Sequence, residues 1–422
     1  MTAASGVRLD ASEAAMLNGE AGPGVAFAMR VLVGFAAAVG AGSLIAIRGG
    51  HVDGCLYHGR VGLDFVERFT ASGTRVRVPT TLNVGSLDLI HPDLVRMPAA
   101  DAGPSRRLMQ AHLDLGCEAS FTCAPYQSLA RPRFGDQIAW GESNAIVFAN
   151  SVIGARTARY GDFIDLCCAI TGRAPAWSLH LDEHRAGQVL FRLTGFPASL
   201  AADDGLFVAV GLIVGARCGD RVPVVQGLPD PGTEDRLKAL GAAAACSGSV
   251  GLFHAVGITP EAPSLAAAFG GRGPTEELSI APADVAAALA RLSTVPDGAP
   301  LAAVCLGTPH FSLPEWERLA AALDHAGGCR VPIYVNTARD TLRRVRSDPA
   351  LARVLARGVT PVADTCTYVT PVLREVHGAV MTNSGKWAYY APGNLGVQVA
   401  FGSLADCVAC AAAGRVVRDA GR

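Results

Sequence analysis

Short apolar runs alternate with segments of helical periodicity along most of this 422-residue chain. The runs that we interpret as strands are Ser43–Ile47, Arg75–Pro79, Leu206–Gly215, Leu301–Gly307 and Val331–Asn336. Segments with the spacing of amphipathic helices follow the last two runs, at Leu313–Ala326 and Thr337–Ala356. Repeated strand–loop–helix order is typical of layered α/β domains. The pattern therefore predicts a multi-layer α/β fold with mostly parallel sheets.

The length predicts two to three domains, and a segment of small and acidic residues at Phe196–Asp204 marks a plausible boundary. We predict two α/β regions, residues 1–204 and 205–422, with the C-terminal segment a candidate to pack back on the first. The apolar segment Val25–Ile47 has the spacing of a buried helix that ends at Gly40. The longest apolar run, Gly205–Ala216, is too short to span a bilayer and is interpreted as a buried strand.

Composition excludes several classes of function. Half of the residues are hydrophobic, 17% are charged and the net charge is −1, so a nucleic-acid partner is not expected. The N-terminus lacks a secretory signal pattern, and we expect a cytoplasmic protein with no membrane partner. Its twelve cysteines are therefore expected to be thiols for packing or metal binding. There is no zinc-type pair of CxxC motifs, and Cys407 with Cys410 is interpreted as a pair of buried small hydrophobes.

Three segments rich in polar residues interrupt the apolar chain, at Cys117–Arg159, Asp364–Pro371 and Thr382–Gly393. Buried polar groups must be paired or functional, so the three segments predict one site assembled from distant loops. In parallel α/β sheets, ligands bind beyond the carboxyl ends of the strands. The segments Gly307–His310 and Asn336–Asp340 follow predicted strands directly and are expected near that site.

Polar groups also follow two earlier predicted strands. They are His51 with Asp53, and Thr80 with Thr81 and Asn83. We interpret all five as substrate-binding residues because of their position at strand ends. The spacing matches no zinc signature. For the second group, the alternative is that Ser, Thr or Asn side chains cap the backbone of a turn.

The polar residues Glu142, Ser143 and Asn144 interrupt an apolar stretch, and we interpret them as the start of a helix. A helix N-terminus favours anions, so Ser143, Asn144 and the nearby Ser151 are interpreted as contacts to a substrate carboxylate. Two arginines follow at positions 156 and 159. Arg156 and Arg159 suit bidentate pairing with that carboxylate; the alternative is a salt bridge at the surface or with Asp162.

The segment Thr382–Lys386 has the character of an anion cradle, although it lacks the spacing of a P-loop. Its glycine permits close backbone approach, while Ser384 and Lys386 supply donors. His310 is interpreted as a contact to substrate or to a metal cluster. The alternative for His310 is a place just before a helix whose N-cap is Ser312, with Glu315 completing a capping box.

Several of these segments together resemble the aconitase X family. The resemblance rests on the three polar segments together with GHVDGCLYHG at Gly50–Gly59 and VPTTLNVGSLDL at Val78–Leu89, and it runs from about Leu17 to Arg415. It implies aconitase-like domains and an iron–sulfur dehydratase. Two activities are known in the family, on cis-3-hydroxy-L-proline and on mevalonate 5-phosphate. Its members have a large part, which this chain resembles, and a small swivelling part, fused or separate.

The resemblance implies three cysteine ligands for an iron–sulfur cluster. Cys123 and Cys366 lie in loop contexts, and Cys305 is the candidate third ligand, with a core cysteine as the alternative. Where the phosphomevalonate branch is expected to have Gly-Cys-Pro-His, this chain has GTPH at Gly307–His310. That departure resembles the hydroxyproline branch, so a 2Fe–2S cluster is favoured over 3Fe–4S or 4Fe–4S.

The resemblance and the polar residues together predict an enzyme that converts cis-3-hydroxy-L-proline to 1-pyrroline-2-carboxylate. The residues expected to be catalytic are Lys386, Ser384 and Glu142. The expected partners are a small-molecule carboxylate and a small swivelling subunit, which is also a candidate to supply the base. The alternatives are the large subunit of a mevalonate 5-phosphate dehydratase and a non-catalytic iron–sulfur sensor or binding protein.

Overall fold

The computed structural model describes residues 6–127, 131–197, 203–373 and 376–418. The chain forms two compact units: the first comprises Met1–Leu87, Pro98–Ala186 and Thr259–Glu261, and the second Asp88–Met97, Gly187–Ile258 and Ala262–Arg422. The chain passes into the second unit after Ala186, ahead of the segment Phe196–Asp204 where the sequence suggested a boundary. Residues 198–202 of that segment lie outside the described residues.

The first unit is built from short strands and a few longer helices. Its strands are Leu44–Ala46 (β1), Gly50–Val52 (β2), Thr80–Leu82 (β3), Ala139–Trp140 (β4) and Arg173–Pro175 (β5). Its helices are Ala11–Asn18 (α1), Pro23–Ala38 (α2), Arg60–Ala71 (α3), Ala99–Asp114 (α4), Ser143–Phe148 (α5) and Ile164–Thr171 (α6), and a π-helical turn covers Ala149–Ile153. The strands β3, β2 and β4 form a parallel sheet in that order, while β1 pairs with β5 antiparallel.

Two predictions for this unit have different outcomes. The predicted apolar helix is confirmed as α2, which buries Ala28, Met29, Leu32 and Ala36 along one face. The predicted strand Arg75–Pro79 is wrong, because strand pairing begins only at Thr80, opposite Gly50. The two side chains expected to follow that strand, Thr80 and Thr81, therefore lie within β3 itself.

The second unit contains two parallel sheets. Its strands are Val189–Leu193 (β6), Pro223–Gln226 (β7), His254–Ala255 (β8), Glu276–Ile280 (β9), Leu301–Phe311 (β10), Ile333–Thr337 (β11), Val359–Val362 (β12), Ala379–Thr382 (β13) and Val399–Phe401 (β14). The strand orders are β8-β7-β6-β9 and β12-β11-β10-β13-β14, and every pairing is parallel. This confirms the predicted α/β class.

Helices cover these sheets. They are Asp204–Cys218 (α7), Glu234–Ser247 (α8), Leu265–Ala268 (α9), Pro282–Ala290 (α10), Leu313–Asp324 (α11), Arg339–Ser347 (α12), Pro349–Leu355 (α13), Gly385–Leu395 (α14) and Leu404–Ala413 (α15). The predicted helix Leu313–Ala326 is confirmed as α11, with the capping box of Ser312 and Glu315. The predicted helix Thr337–Ala356 divides at Asp348, which caps α13, because Pro349 cannot continue α12.

The predicted strand Leu206–Gly215 is wrong, since this run lies in α7. A helix that is buried on all sides is apolar all round, so it shows no amphipathic period. The buried faces of α7 include close contact with α8: a side chain at Gly211 would collide with the carbonyl oxygen of Leu240, and one at Gly215 with that of Ala244. Glycine permits this helix–helix approach, and Asp203 caps the helix start.

Among the described residues, no single helix is long and apolar enough to cross a membrane. The pair α1 and α2, bent by 116°, reaches the required length and composition only when the two are taken together.

Candidate active site

The three parallel strands of the first unit end in polar residues. Asp53 follows β2, Asn83 follows β3, and Glu142 comes two residues after β4. Because parallel strands carry their carboxyl ends to one edge of the sheet, these side chains meet there. A side chain at Gly141 would collide with the carboxylate of Asp165, so glycine permits the close approach at this edge.

Asn83 connects two carboxyl groups of this edge. Its amide nitrogen contacts Asp53 Oδ1 and donates to Glu142 Oε2 at 3.0 Å. Asp165 Oδ2 accepts the backbone N–H of Asp53 at 2.7 Å. Asp53, Asn83 and Glu142, with Asp165 behind them, are called the carboxylate cluster below. Its first three members were expected from the sequence, whereas Asp165 was missed because it lies in the apolar helix α6.

Burial controls the protonation of the carboxylate cluster. Burial raises the pKa of Asp53 well above its usual range, and the neighbouring carboxylates of Glu142 and Asp162 raise it further. Burial also raises the pKa of Asp165 to about 7. Two carboxyl groups of the cluster therefore carry protons under conditions in which exposed aspartates are ionised. Such perturbed carboxyls in a strand-end cluster are typical of proton-transfer sites.

The remaining strand-end residues contact one another or the backbone, and their predicted role in substrate binding stays a prediction. His51 lies within β2, and its Nδ1 lies 2.8 Å from Thr81 Oγ1 in β3. Burial lowers the pKa of His51 to about 3, so the ring is neutral. Thr80 donates its hydroxyl to the carbonyl of Val78 at 2.8 Å, which is the turn-capping alternative considered from the sequence.

The predicted helix start at Glu142 is confirmed. Glu142 is the N-cap of α5, and its Oε1 accepts from the backbone N–H of Asn144 at 3.1 Å and from the Asn144 side chain at 2.6 Å. Ser143 donates its hydroxyl towards the same oxygen. Asn144 also donates to the carbonyl of Cys123 at 3.1 Å. The N-terminal donors of this six-residue helix are thus directed at Glu142 itself.

The two arginines and Ser151 occupy different surroundings. Arg156 forms ion pairs with Asp182 at 2.8 Å and with Glu261 at 3.6 Å. The sequence had offered a salt bridge as the alternative for this arginine, but with Asp162 as the named partner. Arg159 is half-buried. Ser151 is buried in the π-helical turn Ala149–Ile153, a rare conformation that is frequent at functional sites.

In the second unit, the segment Gly307–His310 bulges from strand β10. Leu306 pairs with Val335 and Phe311 with Thr337, so three extra residues lie between the two pairs. Gly307 has φ +82°, and a side chain there would collide with the carbonyl oxygen of Asn336. A bulge of this kind turns its side chains out of the strand pattern. It places Thr308 and His310 at the carboxyl end of the strand.

His310 and Cys366 form a buried pair. The distance between His310 Nε2 and Cys366 Sγ is 3.4 Å, and His310 Nε2 lies 3.3 Å from the carbonyl oxygen of Thr365. The loop of Cys366 begins at Asp364, which has φ +61°. Arg339 holds this strained position with two hydrogen bonds to the Asp364 carboxylate, one of 2.7 Å.

Asn336 is a connecting residue; the sequence predicted its segment Asn336–Asp340 near the site but gave Asn336 itself no role. It is fully buried, and its side-chain nitrogen donates to Leu306 O at 2.9 Å and towards Thr308 Oγ1 and Thr367 Oγ1. Its side-chain oxygen accepts from Thr367 N at 3.0 Å. The bulge and the Cys366 loop are thereby joined. The available signal was the position of Asn336 at the end of a predicted strand.

Cys305 and Cys123 lie in contrasting environments. Cys305 is in the middle of β10, opposite Tyr334, within the apolar core. That placement is typical of a core cysteine, and a ligand role for it stays a prediction. Cys123, in the first unit, lies in a loop just before the short turn Pro125–Gln127, where its carbonyl is held by Asn144. Both thiols are buried.

Lys386 and Ser384 lie at the N-terminus of α14. Ser384 is its N-cap, accepting from Trp387 N at 3.0 Å and donating its hydroxyl to the carbonyl of Thr308. Lys386 is buried, with its ammonium 5.9 Å from the centre of the Tyr368 ring. A pocket lies between α14 and the bulge. Its lining includes Thr308, Pro309, Ser384 and Lys386.

Comparison with known proteins assigns the chain to a family. Each unit carries buried polar side chains at the carboxyl ends of parallel strands, as is typical of enzymes built on α/β sheets. Three family models match in order: the Aconitase X first domain over residues 6–183, the second domain over 187–290 and the third domain over 301–413. The chain belongs to the aconitase X family, as the sequence resemblance predicted.

Individual relatives agree with this assignment. The chain is 43% identical to a cis-3-hydroxy-L-proline dehydratase of Pseudomonas aeruginosa, over 97% of this chain and 71% of the relative. It is 37% identical to one from Hypocrea jecorina, over 97% and 69%. Its identity to the phosphomevalonate dehydratase large subunit of Methanosarcina mazei is 33%, over 96% and 98%. The crystal structure of Thermococcus kodakaraensis aconitase X (holo-form) is similar, with a TM-score of 0.85 and 29% identity over 95% and 99% of the two chains.

Proposed function

We propose that this protein is a dehydratase that converts cis-3-hydroxy-L-proline to 1-pyrroline-2-carboxylate. The observation that carries the proposal is the 43% identity to a cis-3-hydroxy-L-proline dehydratase over nearly the whole chain. The reaction removes the α-proton and expels the β-hydroxyl, and the resulting enamine tautomerises to the cyclic imine. It therefore requires groups that bind a carboxylate, accept a proton and assist the departure of a hydroxyl.

Thr308 supports this substrate over the phosphorylated one. Its hydroxyl oxygen accepts from Asn336 at 3.2 Å, so the bulge uses an oxygen where the phosphomevalonate branch is expected to have a thiol. The oxygen is a much weaker ligand for iron than a thiolate. We therefore assign the chain to the branch with the smaller, 2Fe–2S cluster.

The donors in the second unit fit an iron–sulfur group. Cys366 and His310 offer a thiolate and an imidazole nitrogen 3.4 Å apart in a buried setting, and both are known ligands of such clusters. We propose that these two residues hold the cluster together with Cys123, whose assignment rests on its sequence context. When bound, the cluster would supply a Lewis-acidic iron for the departing hydroxyl.

We propose that Lys386 binds the substrate carboxylate. Its ammonium is buried at the N-terminus of the eleven-residue helix α14, where the helix dipole adds to its positive charge. An ammonium contact to the carboxylate also stabilises the charge that develops as the α-proton leaves. Ser384 has backbone partners on both sides, so we assign its hydroxyl to holding the bulge against α14.

The carboxylate cluster is proposed to handle protons. Asp53 has a raised pKa, and its carboxyl shares the amide of Asn83 with the carboxyl of Glu142. Neighbouring carboxyl groups in different environments can divide the roles of proton donor and proton acceptor. We assign to Glu142 the role of proton acceptor and to Asp53 that of proton donor. The neutral His51 behind them keeps additional positive charge out of the cluster.

A second polypeptide part is proposed to complete the enzyme. Relatives of similar length are named large subunits, and we propose that this chain works with a small swivelling subunit. That part is a candidate to supply a further base. A soluble enzyme in the cytoplasm is part of the same proposal.

The test is a substrate comparison. The chain is purified anaerobically, alone and after co-expression with a small aconitase X subunit, and each preparation is supplied with cis-3-hydroxy-L-proline or mevalonate 5-phosphate. Formation of the cyclic imine from hydroxyproline alone is the expected result. Turnover of only the phosphorylated substrate would overturn the branch assignment. Iron without turnover of either substrate would favour the sensor alternative.

A further inference from the structure

A buried lysine that the proposed reaction does not use lies beside the bulge of β10. Lys238 in α8 is 3% exposed. Its ammonium is 2.8 Å from Asp235 Oδ1 and also contacts Glu315 Oε2. A buried ammonium is strongly unfavourable unless it is paired and hydrogen-bonded. We therefore ask which part of the structure the ion triad of Lys238, Asp235 and Glu315 stabilises.

The triad binds the main chain on the C-terminal side of the bulge. Lys238 Nζ donates to the carbonyl oxygen of His310 at 3.3 Å. Glu315 Oε2 accepts from the backbone N–H of Ser312, and Asp235 Oδ2 accepts from its hydroxyl, each at 2.8 Å. The cation thus contacts His310 directly, and it reaches Ser312 through both of its carboxylate partners.

The bulge needs such contacts because it lies outside the strand register. Between Leu306 and Phe311, β10 has no regular pairing with β11. On one side, Asn336 holds Leu306 and Thr308, and Ser384 holds the carbonyl of Thr308. On the side of α8, the contact to His310 comes from Lys238. The imidazole of His310 extends from this same segment to Cys366.

The charge state of the triad is consistent with a holding role. The ammonium of Lys238 is paired with the carboxylates of both Asp235 and Glu315, as a buried charge requires. A charged donor forms a stronger hydrogen bond to a carbonyl than a neutral one.

We propose that Lys238, fixed by Asp235 and Glu315, is a positioning residue that holds the backbone of His310 so that its imidazole stays beside Cys366. This role rests on the proposed function, because the iron–sulfur group beside His310 is taken from it. The geometry of the bulge itself is independent of that identity. The role of Lys238 is indirect, because it acts through His310.

Two variants test the role directly. Lys238→Met keeps a long apolar side chain and removes the charge. Arg318→Met is the matched control. Like Lys238, Arg318 lines the pocket between α14 and the bulge, and it forms an ion pair with Asp204 at 2.9 Å. Unlike Lys238, its side chain is 40% exposed. Hydrogen exchange of the amides of residues 301–312 is measured on cluster-free protein. Iron and sulfide content and the visible spectrum are measured on protein purified anaerobically.

In Lys238→Met, exchange in residues 307–312 is expected to rise by about tenfold or more relative to the rest of β10, since local opening becomes easier. The visible spectrum of the cluster is expected to shift, with less iron per chain, while Arg318→Met matches the unmodified protein in both measurements. Equal exchange and equal spectra in the two variants would overturn the role of Lys238. Unmodified protein without iron would count against the proposed cofactor, and the exchange measurement would still decide the role of Lys238.

Glu315→Gln covers the case in which Lys238→Met does not fold. The amide oxygen of glutamine can still accept from Ser312 and Lys238, so this variant weakens the triad without leaving a cavity. A shifted cluster spectrum and faster exchange confined to residues 307–312 would support the proposal. A spectrum and exchange pattern identical to those of the unmodified protein would contradict it.

Discussion

The two units organise their polar groups in opposite ways. In the first unit, the carboxylate cluster consists of side chains that bond to one another, and burial raises the pKa of Asp53 and Asp165. In the second unit, Asn336, Ser384 and Lys238 each donate a hydrogen bond to a backbone carbonyl in or beside the bulge. The carboxyl groups of the cluster bind protons, whereas the contacts in the second unit stabilise the conformation of the bulge. The difference teaches that a buried polar side chain indicates a function only once its partner is known.

The largest expected effect is at the thiol–imidazole pair of the second unit. Cys366→Ser should abolish activity and lose iron and sulfide, because a hydroxyl replaces a thiolate ligand. Cys305→Ala is the matched control, since Cys305 lies in the apolar core of the same sheet. Iron and acid-labile sulfide per chain are measured. Equal iron in Cys366→Ser and the unmodified protein would remove the ligand assignment, and iron loss in Cys305→Ala would support the predicted ligand role of Cys305.

The carboxylate cluster should respond in the turnover number. Glu142→Gln retains hydrogen bonding to Asn83 and Asn144 but cannot accept a proton, so kcat is expected to fall about 10²- to 10⁴-fold with iron content unchanged. Steady-state kinetics with cis-3-hydroxy-L-proline provide the measurement. Ser12→Ala is a control, because Ser12 is exposed and its hydroxyl donates to Asp10. A kcat within about twofold of the unmodified enzyme, far from the loss expected for a proton acceptor, would show that Glu142 is a structural N-cap.

Lys386 tests whether the second unit also recognises substrate. Lys386→Met should weaken substrate binding by roughly 2–5 kcal/mol if the buried ammonium contacts the carboxylate directly. The effect is measured as the change in KM and in kcat/KM of the enzyme with its small subunit. If both stay unchanged, Lys386 serves packing against Tyr368, and the carboxylate is recognised elsewhere.

A further expected effect concerns the stability of the first unit and its dependence on pH. Asp165 has a pKa of about 7 in the folded protein against 3.8 as its ordinary value. The folded state therefore binds the additional proton, and its contribution to stability is present below about pH 4 and is lost as the pH rises through about 7. The total loss is about 4 kcal/mol at about 1.36 kcal/mol per pKa unit.

Asp165→Asn removes this dependence while keeping an oxygen that can accept from Asp53 N. The free energy of unfolding of both proteins is measured by denaturant titration between about pH 5 and 8, the range in which the proton is lost. The unmodified protein should lose stability relative to the variant as the pH rises through this range. A difference between the two proteins that is constant with pH would show that the pKa of Asp165 is not raised by folding.

Local sequence signals identified much of the second unit. The apolar run at Leu301–Gly307, the helix Leu313–Asp324 and its capping box were all predicted, because alternation and capping chemistry are properties of neighbouring residues. The apolar run Leu206–Gly215 was wrongly predicted to be a strand because its residues show no such local signal. A segment that is buried on every side carries no period, and only its packing against α8 makes it a helix.

The family, the α/β class and the candidate residues of the proposed chemistry could be predicted from the sequence, and those candidates include Asp53, Glu142, Cys366 and Lys386. These follow from local pattern and from motifs. The tertiary structure decided which side chains meet: that Asn83 joins two carboxyls, that Arg156 pairs with Asp182, and that Lys238 reaches the carbonyl of His310. Such partners lie far apart along the chain, and only the packing of sheets and helices brings them within hydrogen-bond distance.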